Sequence, residues 1–331
     1  MHVAFIVPGA IDTISGGYGY DRAMIEAMRS DGHRVDIVPP AEFDSVLADA
    51  RIVVDGLGMS AFAERPDALG ARGAIGLIHH PTALETGRDE DARAQLRVLE
   101  TRLYAQLPRL IVTSDATLER LITEFAVPRE RIVTVAPGTP DAPRSTGSGS
   151  ARCEILAVGA LIPRKGHDVL IRALARLFDL NWALTIVGTS DRDPVHAQTL
   201  AALATELGVA DRVRFAGELA SDALEILWRR SDIFALATHF EGYGMAVAEA
   251  LKRGLPVAVT AGGAAGALVT PEAGAVCTPG DRDTLSKSLR RMIFDTALRR
   301  ALAEAAWQIG RSLPDWNTQA RAFAAALQSA R

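Results

Sequence analysis

Two glutamates stand eight positions apart in the stretch HFEGYGMAVAEALKRGLPVAVT, from His239 to Thr260. Phe240 to Gly244 is broken by glycines and reads as a loop, Met245 to Lys252 reads as a helix, and LPVAV behind them reads as a buried strand. Glu241 therefore precedes the helix, and Glu249 lies about a turn inside it. Carboxylates are bidentate acceptors for neighbouring hydroxyls, as on a ribose or a hexose. Gly242 and Gly244 free the backbone around Tyr243 and Met245 to face a phosphate at the helix N-terminus. The spacing lets one ligand be gripped at two sugar rings with its diphosphate between them. Two carboxylates can also be the acid and nucleophile of a glycoside hydrolase, but that chemistry has no use for the cations found elsewhere in the chain.

Those cations are Arg164 and Lys165, in LAVGALIPRKGHDVLIRAL. They follow a strand and a glycine and precede a helix. An arginine fork and a lysine point charge there suit a diphosphate, whereas most such pairs elsewhere are solvated surface charges. Near the start, SGGYGYDRAM places Gly16, Gly17 and Gly19 between a strand and a helix. Close backbone approach to an anion is one reading and a tight strand-to-helix loop is the other, since G-x-G-x-x-G is not matched. AIGLIHHPTALETG puts His79 and His80 at a strand end, where an imidazole could bond a hydroxyl or stabilise developing charge, or simply be satisfied in a loop. No third ligand at suitable spacing accompanies them, so no metal site is expected. The DRD at Asp191 to Asp193 imitates a metal-binding D-x-D but reads as a solvated turn entering a helix.

These residues need strand ends to position them. HVAFIVP, HRVDIVP, RIVVDG, AIGLIHH, RLIVTS and RIVTVAP read as strands separated by helical stretches. After TPDAPRSTGSGSARC the alternation resumes with CEILAVG, WALTIVG, RVRFAG, DIFALA, LPVAVT and GAVCT. Continuous apolar strands alternating with helices imply parallel sheets covered on both faces. The expectation is an α/β protein of two doubly wound, Rossmann-like domains facing across a cleft: residues 1–140, a flexible linker over 141–150, and residues 151–313. The last segment, 314–331, repeats Trp316, Ala320, Phe323 and Leu327 at helix spacing and must dock on something already built.

A hydrophobic content of 48%, a charged content of 23% and a net charge of −4 describe an ordinary globular chain. No basic block points to nucleic acid. Cys153 and Cys277 form no disulfide framework or metal spacing, and no leader or membrane-spanning run is visible, so a cytoplasmic protein is expected. Composition leaves room for peripheral contact with a membrane surface, such as the inner face of a membrane.

Together, VGALIPRKG, TIVG, VRFAG, the E-x(7)-E pair of FEGYGMAVAEALKRGLPV, and AGGAAG followed by GAVCTPGD resemble glycosyltransferase family 4, on the GT-B fold. GGYGYDRAM, the HH at a strand tip, VTSDAT and ERIVTVAPG match more loosely. The resemblance implies transfer of a hexosyl group, with retention, from a UDP- or GDP-linked sugar to a sugar, glycolipid or small-molecule hydroxyl acceptor in glycan biosynthesis. No cofactor and no metal are implied. The front-face mechanism has the leaving diphosphate accept the acceptor's proton. By resemblance, Glu249 binds the donor ribose, Glu241 holds the donor sugar hydroxyls, and Arg164 and Lys165 neutralise the diphosphate. The backbone from Gly242 through Tyr243 and Gly244 to Met245 adds donor contacts, as do Gly188 of TIVG and Phe215 of VRFAG, near which the base is selected. His79 contacts the transferred sugar, Gly16 and Gly17 sit beside the diphosphate, and the final helix crosses back onto the N-terminal domain. The chain departs from the pattern at Ala160, where many members carry arginine, with Arg164 as a substitute. It also lacks an acidic residue near Gly266. A phosphorylase or epimerase on the same fold, and a non-catalytic sugar-nucleotide-binding subunit, are the alternatives.

Overall fold

The computed structural model describes residues 1–85 and 89–329. Thr86 and Gly87 of the histidine motif, and the last two residues of the segment 314–331, lie outside the described residues. The chain divides into two compact units: Met1–Gly138 together with the segment from Pro314, and Thr139–Leu313.

The first unit carries β1 (His2–Ile6), β2 (Arg34–Val38), β3 (Arg51–Asp55), β4 (Ile75–Ile78), β5 (Arg109–Val112) and β6 (Ile132–Thr134). Its helices are α1 (Gly16–Ser30), α2 (Asp67–Ala71), α3 (Glu90–Gln106) and α4 (Asp115–Phe125). The strands form one parallel sheet in the order β2-β1-β3-β4-β5-β6. The second unit carries β7 (Cys153–Val158), β8 (Trp182–Val187), β9 (Val213–Phe215), β10 (Ile233–Leu236), β11 (Val257–Thr260) and β12 (Gly274–Cys277). Between and after them run α5 (His167–Ala175), α6 (Pro194–Glu206), α7 (Ser221–Arg230), α8 (Met245–Lys252), α9 (Arg282–Phe294) and α10 (Thr296–Ser312). Its sheet is also parallel, in the order β12-β11-β10-β7-β8-β9.

Why the strands read as unbroken apolar runs is visible in the second unit. Ile155, Ala157, Leu184 and Ile186 point to a core shared with Leu170 and Leu174 of α5 and Leu285 and Leu289 of α9. Their neighbours Leu156, Phe234, Leu236, Val257 and Val259 point the other way, against Trp228 of α7 and Val247 and Leu251 of α8. Successive side chains alternate faces and both faces are covered, so each position along a strand must be apolar. Each such side chain contributes about 1.5–3 kcal/mol on burial.

The stretch 141–150, expected as a flexible linker, is instead fastened to the second unit. Ser145 N–H bonds the Arg253 carbonyl and Thr146 N–H the Arg229 carbonyl, so the strap closes the C-terminal ends of α8 and α7. Ser148 N–H and Glu154 N–H share the two oxygens of Asp232. Serine, threonine and glycine there have no periodicity because they serve these carbonyls and carboxylates, not because the chain is loose.

The last helix, α11 (Trp316–Gln328), belongs to the first unit. Asp315 caps it by accepting from Thr318 N–H, Phe323 stacks on Phe5 at 5.7 Å, and Gln319 bonds the Ala136 carbonyl. Ala320, Phe323 and Leu327 are fully buried. A Cβ on Gly138 would lie 2.4 Å from Trp316 N, so only glycine admits the helix start there. No described helix is long and apolar enough to cross a membrane.

Candidate active site

In an open parallel sheet the crevice lies where the strand order reverses, beyond the carboxyl ends of the two strands that part there. In the second unit those strands are β7 and β10. The loop after β7 carries Arg164 and Lys165 in a single 3-10 turn, and the loop after β10 carries Glu241. The topology therefore brings together residues 76 apart in sequence: Lys165 Nζ lies 2.5 Å from Glu241 Oε1. Arg164 Nη1 donates to the Phe240 carbonyl at 2.7 Å and lies 3.6 Å from the same Glu241 oxygen. Glu241 is only 8% exposed. Burial would push its carboxyl up, but the Lys165 and Arg164 charges outweigh it and hold the group below the usual glutamate range. Glu241 Oε2 makes no hydrogen bond among the described residues.

The backbone around Glu241 is fixed from two sides. Its N–H bonds the Gly262 carbonyl, and its own carbonyl accepts from Ala264 N–H. A Cβ on Gly263, at φ +72°, would stand 2.2 Å from that carbonyl oxygen. The glycines of AGGAAG thus let one loop lie against the other. Gly166, at φ +62°, does the same for the cationic turn against the Ala237 carbonyl.

Glu249 does not join Glu241. It sits on α8 with its carboxylate 3.9 Å from Arg253, one turn on. Burial pushes this carboxyl up, Arg253 opposes the rise and Glu225 adds to it. Gly244, at φ +103°, opens α8 and provides no side-chain cap, so the first-turn N–H groups from Met245 onward have no side-chain acceptor. Gly242, Tyr243 and Met245 are partly exposed around this helix start, and burial raises the Tyr243 phenol. Gly188 has a packing reason of its own, since a Cβ there would stand 2.0 Å from the Gly159 carbonyl oxygen. Phe215 packs against the apolar core from its strand end. Asp193 caps α6 by accepting from His196 N–H, which accounts for the DRD as a turn entering a helix.

Two contributors on this side are not singled out by the sequence motifs. The Thr238 hydroxyl is buried 3.2 Å from Glu241 Oε1. His167 is fully buried and donates from Nε2 towards the Gly159 and Ala160 carbonyls at 3.2 and 3.3 Å. Burial lowers its ring to about 4, so it stays neutral and steadies the turn after β7.

In the first unit the order reverses between β1 and β3. The helix after β1 is α1, whose N-terminus is capped by Ser15 accepting from Tyr18 N–H. Gly16 is exposed, and a Cβ on Gly17 would lie 3.3 Å from the His79 ring. His79 stands just past β4 with Nε2 3.0 Å from Asp21 Oδ1. His80 lies 3.7 Å from Glu85. The expectation that no third ligand-type group accompanies the histidines is overturned here. Asp21, Asp55 and His79 each offer an atom within 4.8 Å of the others. The signal was a carboxylate at a strand's carboxyl end, in RIVVD, and another one helical turn after Gly17. Neither shows by local spacing.

Comparison with known proteins follows this geometry. Residues 139–308 match the family model described as Glycosyl transferases group 1. A D-inositol 3-phosphate glycosyltransferase of Salinispora tropica is 31% identical over 240 residues, covering 64% of this chain and 49% of the relative. An MMP alpha-(1->4)-mannosyltransferase of Mycolicibacterium hassiacum is 27% identical over 223 residues, 63% of this chain and 53% of the relative. The chain spans about half the length of the curated relatives it matches. Among solved structures, sucrose-phosphate synthase of Thermosynechococcus elongatus superposes with a TM-score of 0.83 at 19% identity, over 98% of each chain. Anabaena HepE in complex with UDP-glucose gives 0.81 at 19% identity, over 99% of this chain and 100% of that one. These likenesses show the GT-B fold. With its family model matched across about half its length, the chain belongs to the glycosyl transferases group 1 family.

Proposed function

We propose that this chain transfers a hexosyl group from a nucleotide diphosphosugar to a hydroxyl acceptor, with retention at the anomeric carbon, without a metal ion, and in the cytoplasm. The observation that carries the reading is the Arg164–Lys165–Glu241 cluster at the reversal point of the second sheet. Two cations face one carboxylate there, and the uncapped start of α8 follows Glu241 by a few residues.

The chemistry follows from charge. As the glycosidic bond of the donor breaks, positive charge develops on the sugar and negative charge on the diphosphate. Cations already anchored on Glu241 and the Phe240 carbonyl need no reorganisation to receive that negative charge. Glu241 keeps Oε2 for sugar hydroxyls, Glu249 takes the ribose hydroxyls, and the α8 N–H groups from Met245 add to the phosphate site. The departing phosphate accepts the acceptor's proton on the same face, so no separate base is assigned. The family resemblance assigns His79 to the transferred sugar and Gly16 and Gly17 to the diphosphate. The HepE complex with UDP-glucose favours a uridine donor first and guanosine second. The inositol phosphate relative makes a phosphorylated polyol the first acceptor to try.

The test begins with a thermal-shift screen of UDP, GDP and ADP, because a ligand bound only by the folded protein raises its melting temperature. Transfer from the selected donor is then measured in Glu241→Ala. Transfer should vanish while nucleotide affinity stays near that of the wild type. Turnover of Glu241→Ala at the wild-type rate would refute the role given to this residue.

A further inference from the structure

Asp21 and Asp55 are both fully buried, and each has one carboxylate oxygen, Oδ2, without a hydrogen-bond partner. Asp55 Oδ1 accepts from Leu57 N–H at 3.1 Å, and Asp21 Oδ1 faces His79 Nε2 at 3.0 Å. Two carboxylates this close and this dry cannot both be ionised without a cation between them. The two carboxyl groups offer oxygens within 4.8 Å of each other, close enough for one proton to serve the pair. His79 then has Nε2 committed to the acid pair, while its Nδ1 makes no hydrogen bond among the described residues. Gly17 and the edge of Tyr20, whose ring centroid is 5.0 Å away, hold the imidazole plane.

We propose that Asp21 and Asp55 are positioning residues for His79: sharing one proton, they act as a single negative charge that fixes the ring by Nε2, keeps it protonated and presents Nδ1–H as the working donor. The titratable groups facing the cluster are Tyr18, Tyr20 and Asp21 from α1, and Asp55 from the end of β3. Burial and the Asp21 carboxylate push Asp55 up to about 7. Burial works against a charged His79, but Asp21 and Asp55 together raise the ring above its ordinary 6.5. Both directions agree with the geometry.

The proposal deepens the transferase reading, and its first test does not depend on that reading. In the full-length protein with labelled imidazoles, the His79 resonance is followed through a pH titration. Wild-type His79 should titrate above 6.5. Asp21→Asn keeps an acceptor for Nε2–H but moves the pair's one negative charge onto Asp55, off the ring's hydrogen-bond partner, so its midpoint should fall below the wild-type one. Asp55→Asn offers an amide N–H where the shared proton lies, so its midpoint should stay with the wild type. Equal falls in both variants would overturn the shared proton. So would binding of one equivalent of added Zn²⁺ that perturbs His79 at neutral pH, because a cation would then hold the two acids. The second test rests on the transferase reading. In Asp21→Asn, kcat should drop about 10- to 100-fold, as for a lost charged hydrogen bond. The acidic limb of a uniform fold loss would not move, so the pH–rate profile must shift along with the titration midpoint. A wild type inactive with every donor would end the transferase reading and leave the titration to decide this one. An unmoved His79 midpoint in Asp21→Asn would end this proposal while transfer stood.

Discussion

Replacing Lys165 by methionine keeps most of the stem and removes the ammonium 2.5 Å from Glu241. Both side chains are largely shielded, at 15% and 11% exposure, so solvent screens the pair little. Removing one partner of a buried pair costs about 3–5 kcal/mol. Arg164 at 3.6 Å and the Thr238 hydroxyl at 3.2 Å remain on the same oxygen, which places the expected loss at the lower end. Lys165→Met should therefore destabilise the second unit by about 3 kcal/mol at neutral pH. Adding Glu241→Gln removes the stranded charge, and the total loss should shrink to about 1 kcal/mol. The pH response has a definite sign. Glu241 lies below its ordinary 4.5 in the folded chain. Its contribution is therefore present above that value and lost as pH falls through the lower, folded one. Without Lys165 the carboxyl rises, so acidification relieves the variant instead of weakening it. Trp182, Trp228 and Trp307 lie in the second unit and only Trp316 in the first, so tryptophan fluorescence during urea unfolding reports mainly on the relevant unit. A single variant within about 1 kcal/mol of wild type, or a double variant as unstable as the sum of its parts, would refute the coupling.

Gly166→Ala puts a Cβ 2.0 Å from the Ala237 carbonyl oxygen at φ +62°, so the loss should be about 3 kcal/mol or more, read as a lowered melting temperature. His167 sits at about 4 when folded against an ordinary 6.5. Between those values the unfolded chain binds a proton that the folded chain refuses, so stability falls with pH by about 3 kcal/mol in all. His167→Gln should flatten that slope in denaturation series between pH 6.5 and 4, and an unchanged slope would show that the ring does not titrate there.

The inner strands were legible because a parallel sheet covered on both faces asks for one kind of residue along most of a strand, as in β1, β4, β5, β10 and β11, whereas the edge strands β2 and β9 admit charged residues such as Asp36 and Arg214. The bounds of α8 were legible from Gly244 on one side and the glycine and proline of KRGLP on the other. Docking of α11 followed from a helical apolar face with no strand left to serve. The strap over 141–150 was misjudged because helix-end carbonyls as hydrogen-bond partners leave no periodic trace. At the site, Glu241, Arg164 and Lys165 were each visible beside a glycine at a strand end. Their direct contact was not, since it depends on β7 and β10 being neighbours. Thr238, Asp21 and Asp55 escaped for the same reason: an ordinary residue becomes notable only when the fold buries it against a charge.

The two reversal points hold different sets of charged groups. In the second unit Arg164 and Lys165 both lie against Glu241. The first has two carboxylates beneath a glycine-rich helix start. Were both ionised, with His79 neutral, any phosphate beside Gly16 and Gly17 would meet like charge in a poorly screened setting, and the Ser15 cap already satisfies one of the N–H groups that could have attracted it. A shared proton on the acids and a proton on His79 bring the cluster to neutrality. The imidazole, packed against Gly17, then lies between the acids and the glycines. The charge state of Asp21, Asp55 and His79 thus decides whether the first unit repels or tolerates an anion beside its own glycine loop.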